Sequence, residues 1–159
     1  MKHTLKALVA SAALALAADA VHAAENAKQV ERGLYIVKIA GCNDCHTPGY
    51  APTNGKVPEK AWLTGDVVGW RGPWGTTYPA NLRRYFQGLS ADQWVKAVRT
   101  VEWRPPMPWF SLRDMSDADL RAVHAYVRSL GPAGEPAPAY VPPDREPVPP
   151  FVQFPAPPP

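Results

Sequence analysis

Residues 42–46 read Cys42-Asn43-Asp44-Cys45-His46, and no other stretch limits the possible folds of this chain as strongly. Two thiols at this spacing, followed at once by an imidazole, form the attachment signature of a c-type haem. The thiols add across the haem vinyl groups as thioethers, and the adjacent histidine is then held where it can ligate iron. Two other chemistries use Cys-x-x-Cys. A thioredoxin-like redox centre needs a βαβ context, whereas an irregular Pro/Gly-rich stretch follows His46. A closed zinc site needs four protein ligands, and beyond the motif residues 24–159 offer only His124 as a further good nitrogen or sulfur donor. Cys42 and Cys45 are the only cysteines, so one covalent haem c leaves neither a free thiol nor a disulfide framework.

The start of the chain reads as an export signal. Lys2 and Lys6 precede a mainly apolar run from Leu5 to Ala18, and Val21-His22-Ala23 has the small-residue pattern of a cleavage site. The run is short and Ala-rich for a bilayer span, so no stable membrane span is expected after cleavage; an uncleaved anchor is the alternative. No cysteine follows the expected cut, which argues against a lipoprotein anchor. Removing residues 1–23 leaves 136, enough for one domain over 24–131 followed by a tail over 132–159. Without Lys2, Lys6 and Asp19, 15 Lys/Arg face 13 Asp/Glu. That balance makes no electrostatic case for nucleic acid, which would need a concentrated basic face, and nucleic acid is not an expected partner.

From Pro132 to Pro159, twelve of 28 residues are proline, ending in Pro157-Pro158-Pro159. Proline removes donors and fixes φ, so the segment should be extended and partly polyproline-like. Tyr140, Val141, Phe151, Val152 and Phe154 interrupt it, and such rings need somewhere to bury. A strap over the domain's own surface would do this; docking onto a partner is the other reading.

Between the ends the dominant period is helical. Val30, Gly33, Leu34, Val37 and Gly41 predict a helix over about Ala27–Ile39 leading to Cys42. Gly33 lowers propensity mid-helix, which implies close approach of another helix. Ser90 with Gln93 makes a capping box for a helix over Ser90–Thr100, and Leu89 can staple to Trp94. Ser116 with Asp119 resembles a second box, Met115 can staple to Leu120, and Gly131-Pro132 stops that helix after Leu130. Leu120, Val123, Val127 and Leu130 share one face, with His124 and Tyr126 on its flanks. No convincing alternating run appears, so the expected class is all-α with long loops. The stretch between His46 and Leu89 is too long to stay structureless in a compact domain unless something organises it. A buried haem would do so, making Trp62, Trp70, Trp74, Tyr78 and Leu82 candidate pocket or packing residues.

Iron has two axial positions. His46 takes one, and Met107, Met115 and His124 are candidates for the other. Met107 lies in Arg104-Pro105-Pro106-Met107-Pro108-Trp109, where flanking prolines stiffen the backbone, predict an extended loop and lower the entropy lost on fixing it. Met115 has a staple to make, and packing explains His124, so Met107 is the preferred ligand.

These residues resemble the class I bacterial c-type cytochromes, and more narrowly the small mono-haem cytochromes associated with periplasmic dehydrogenases. The likeness runs from Gly33 and the helix before Cys42-x-x-Cys45-His46 through Leu63-Thr64-Gly65, Pro73-Trp74-Gly75-Thr76 and Ala80-Asn81-Leu82. It continues to Met107-Pro108-Trp109 and the helix containing Ala125-Tyr126. The resemblance implies a cytochrome c-like helical domain around one covalent haem, with the first and last helices crossing at Gly33 and Tyr126. It also implies that the carbonyl of Pro79 or Ala80 accepts from His46 Nδ1–H, and that haem is attached after export to the periplasm. The chain departs from the family after Asn81-Leu82, with Arg83-Arg84-Tyr85 where related sequences often have Thr-Pro-Asp. The implied function is one-electron transfer, as a carrier or as a cytochrome subunit. A periplasmic dehydrogenase would be the donor and an oxidase or another cytochrome the acceptor. No acid–base or nucleophilic constellation points to substrate turnover by this chain alone. The alternative is a haem enzyme or gas-binding protein with an open sixth position.

Overall fold

α1 runs unbroken over Lys2–Ile39. In the computed structural model the backbone is described for residues 2–155 and side chains from residue 20 onward, so the side chains of Lys2 and Lys6 and the end at Pro157-Pro158-Pro159 lie outside the described part. The helix ends where its 3-4 periodicity ends, but it begins far earlier than Ala27. It takes in the Ala/Leu-rich stretch read as an export signal, whose residues are strong helix formers. No helix among the described residues is long and apolar enough to cross a membrane.

Gly41, at φ +68, turns the chain out of α1 and directly into α2 over Cys42–His46. The remaining helices are α3 over Leu82–Tyr85, α4 over Ala91–Thr100, α5 over Trp109–Arg113 and α6 over Asp117–Ser129. The capping box of α4 is complete: Gln93 N–H donates to Ser90 Oγ at 3.2 Å, and Ser90 N–H donates to Gln93 Oε1 at 2.8 Å. At α6 the Ser116 hydroxyl accepts from Asp119 N–H at 3.1 Å, while the Asp119 carboxylate accepts from Arg32 Nε of α1 at 2.9 Å. α6 stops at Gly131, left-handed at φ +68.

α1 and α6 cross at close range and bury the core between them. Val37, Leu120, Val127 and Tyr126 are all within 2 % of full burial. The close approach expected of Gly33 is present, since a Cβ built there would lie 2.6 Å from Tyr126 Cβ. Phe86, Trp94 and Val98 extend the same core toward α4.

The fold is mostly α, as expected, with a small sheet that the alternation pattern does not reveal. β1 over Gly69–Gly72 and β2 over Gly75–Thr77 form an antiparallel hairpin, with Trp70 opposite Thr77. β3 over Phe151–Gln153 comes from the proline-rich segment and adds parallel to β1, with Trp70 opposite Val152. Strands of three or four residues are too short to show a period of two, and β3 is framed by prolines. After α6, residues 132–155 therefore return across the domain. Phe154 packs between Trp70 and Trp74 at ring-centroid distances of 5.9 and 5.2 Å.

Candidate functional site

A cavity of about 240 Å³ opens between α2, the β1–β2 hairpin, α3 and the loop before α5. Cys42, Cys45 and His46 enter it from α2, and Met107 enters from the loop. α2 is held by Asn43 and Thr47, both buried. Thr47 Oγ1 donates to Asn43 Oδ1 at 2.7 Å and accepts from Leu63 N–H at 2.8 Å. Gly65 N–H donates to the His46 carbonyl at 2.9 Å. Leu63-Thr64-Gly65 is thus a brace beneath the motif, and Leu63 occupies a left-handed φ of +60 with its side chain fully buried.

His46 Nδ1–H donates to the Ala80 carbonyl at 2.7 Å. Of the two carbonyls considered, Pro79 instead accepts from Asp66 N–H at 3.1 Å. The bond fixes the tautomer and leaves Nε2 as the unprotonated ring nitrogen. Burial pushes the imidazole below its ordinary pKa, opposed by the Ala80 carbonyl. Burial also pushes the Cys42 thiol up to about 11, and raises Cys45, with Asp44 and Asp66 adding to the effect. At neutral pH the three side chains are therefore uncharged.

The candidates for the second axial position separate in space. Met107 and Met115 both line the cavity. His124 does not: it lies against the Phe86 ring at 5.5 Å, and its Nε2 pairs with the Leu89 carbonyl at 2.9 Å. The Met107 loop is a turn rather than the extended segment expected from its prolines, because Met107 N–H reaches back to Arg104 O at 3.3 Å around Pro105-Pro106. Trp109 N–H then donates to Met107 O at 2.9 Å, where α5 begins. Arg99 ties the end of α4 to the α5–α6 junction, donating to the carbonyls of Arg113 and Met115 and to Asp117 Oδ1.

Of the aromatics expected at the pocket, Trp70 and Tyr78 line the cavity, as does Leu82. Trp62 belongs to the core, where it donates to Val57 O and meets Tyr50 edge-on. Trp74 packs outside, against Phe154. Phe86, Trp94 and Trp103 complete the wall, and the sequence does not single them out as pocket residues. It marks Trp94 only as a staple, and nothing local to Trp103 announces a cavity.

The wall suits a haem. It is apolar over most of its surface, two thiols and a neutral imidazole enter from α2, and two thioethers enter from the loop before α5 and the α5–α6 junction. Thr77 of the wall also has a buried hydroxyl without a hydrogen-bond partner, a polar group such a cofactor's polar edge could satisfy.

A family model described as cytochrome c matches residues 30–131. The chain is 32 % identical over 109 residues to the fructose dehydrogenase cytochrome subunit of Gluconobacter japonicus, covering 62 % of this chain and 21 % of that one. It is 28 % identical over 131 residues to a nicotinate dehydrogenase subunit of Pseudomonas putida, covering 72 % of this chain and 10 % of the relative. The match thus spans about a fifth and a tenth of the lengths of these curated relatives. No solved structure matches the chain significantly.

Proposed function

Because this chain belongs to the cytochrome c family, we propose that it is a periplasmic one-electron carrier, or the cytochrome subunit that takes electrons from a dehydrogenase. Haem c, the covalent cofactor of this family, supplies a one-electron Fe(II)/Fe(III) couple when bound. Cys42 and Cys45 would carry the thioether links, and His46 and Met107 the two axial positions. The observation that carries this reading is that His46 and Met107 line one apolar cavity from two separate segments. With His46 and Met107 both holding the iron, little would need to rearrange between oxidation states, and the thioether of Met107 would favour the ferrous form and raise the potential.

The names of the two relatives motivate a dehydrogenase as donor. An oxidase or another cytochrome is the matching class of acceptor. The Lys2–Ala23 stretch supports export, after which residues 24–131 would be the electron-transfer domain and 132–159 its tail.

The test is the oxidised holoprotein's near-infrared spectrum. A methionine–iron charge-transfer band is expected in the wild type and in Met115→Ala, and its loss in Met107→Ala. A high-spin wild type that lacks the band and binds carbon monoxide would overturn the reading in favour of an open haem.

A further inference from the structure

Beyond α6 the chain returns across the segment whose carbonyl holds His46 and the turn that presents Met107. On the His46 side, Asn81 Nδ2 donates to the carbonyls of Ala133 at 2.8 Å and Glu135 at 3.0 Å, and Arg84 donates to Gly134 O at 2.7 Å. Asn81 directly follows Ala80, the residue whose carbonyl holds His46. On the Met107 side, the Arg104 guanidinium carbon lies 4.0 Å from the centroid of the Tyr140 ring. Arg104 is also the residue whose carbonyl accepts from Met107 N–H at 3.3 Å, so it opens the turn that ends in Met107.

Tyr140 is itself tightly placed. Its hydroxyl donates to Trp74 O at 2.8 Å. The next residue, Val141, exchanges both backbone hydrogen bonds with Thr76, at 2.7 and 3.0 Å. A Cβ on Gly75, at φ +94, would come within 2.7 Å of the Tyr140 hydroxyl, so the hairpin and the returning strap are in van der Waals contact with no slack. Arg104 is exposed on its loop, where it also lines the cavity, and its guanidinium rests on the Tyr140 ring.

We propose that Tyr140 is a positioning residue for the sixth iron ligand: by holding Arg104 it restrains the turn that presents Met107, so the strap sets how often that position opens. The inference rests on the assignment of Met107 as a ligand. A thioether is a weak ligand, so whatever restrains its loop contributes to how often the sixth position opens. Loss of one cation–π contact of this kind should raise the open fraction about fivefold.

The experiment uses the full-length holoprotein with Tyr140→Leu, Tyr140→Phe, Arg104→Leu and the double variant Tyr140→Leu/Arg104→Leu. Carbon monoxide binding to the ferrous protein should be about fivefold faster in Tyr140→Leu and Arg104→Leu. The double variant should be no faster than either, because both single changes remove one contact. Tyr140→Phe keeps the ring face and should stay close to wild type. If Tyr140→Leu fails to assemble with haem, Arg104→Leu carries the same test, and a haem absorbance spectrum unchanged from wild type separates loss of the contact from a change in the cavity wall, which Arg104 also lines. Unchanged rates, additive effects in the double variant, or a Tyr140→Phe as fast as Tyr140→Leu would each overturn the proposal. A wild type without the methionine–iron band would instead remove the assignment of Met107 itself, which is a separate outcome.

Discussion

Gly33 on α1 and Tyr126 on α6 leave no room for a side chain between them: a Cβ at Gly33 would lie 2.6 Å from Tyr126 Cβ and 2.6 Å from the Ala122 carbonyl carbon. Both obstacles are backbone or backbone-near atoms, so neither can swing aside. By helix propensity alone Gly33→Ala should stabilise α1, by roughly 1 kcal/mol. Forcing the two helices apart should cost about 1–3 kcal/mol or more, and the second effect wins. The expected outcome is a lower denaturation midpoint for the holoprotein with an unchanged slope. A midpoint equal to wild type would mean the crossing has slack that the geometry denies.

The same tyrosine makes stability fall at alkaline pH. Burial is the larger cause of its raised pKa, and the Glu59 carboxylate, which accepts from its hydroxyl at 2.9 Å, adds to it. The folded value lies above the unfolded one, about 10. The associated stability is therefore fully present below pH 10 and is lost as pH rises from there through the folded value. Tyr126→Phe should cost about 1 kcal/mol at pH 7 through the lost hydrogen bond. Above pH 10 its stability should fall less steeply than wild type, by up to about 1.4 kcal/mol per pH unit, the contribution of one proton. Urea titrations of both proteins at pH 7, 10 and 11 measure the difference, and parallel curves would dismiss Tyr126 as the source.

Arg83, only 6 % exposed, joins α3 to the end of α6. Its guanidinium donates to the carbonyls of Gly131 and Lys60, each at 2.7 Å, and to that of Leu130. Leu130 and Gly131 are at the C-terminal end of α6, where main-chain carbonyls lack helical partners and a cation is favoured. Arg83→Met would leave three acceptors without this donor and should lower stability by about 3 kcal/mol. Arg83→Lys should recover only part of that, because an ammonium cannot reproduce the planar fork. Thermal unfolding of the two variants in holo form gives the comparison; a lysine variant as stable as wild type would mean that charge alone suffices.

Much of the local structure is readable from residue order. The Ser90–Gln93 box, the end of α1 ahead of Gly41 and the stop of α6 at Gly131 all depend on atoms within one or two turns of the chain. So does the spacing of Cys42, Cys45 and His46. Its prolines pick out Met107, although those prolines build a turn and not an extended strand. The hairpin, with strands of four and three residues, is not readable, because so short a run carries no usable period.

A mostly helical domain, the haem motif and the closeness demanded by Gly33 thus follow from residue order alone. Which distant atoms meet was a matter for the folded backbone. Ala80, rather than Pro79, presents its carbonyl to His46; His124 faces Leu89 while Met107 and Met115 face the cavity. Trp62 and Trp74 leave the pocket to Phe86, Trp94 and Trp103, and Phe151–Gln153 pairs with a strand about eighty residues earlier. Caps and periodicity act between neighbours along the chain, so the order of residues is enough to reveal them. Burial and cross-chain hydrogen bonds depend on the path of the whole backbone, and that path is not specified by any local pattern.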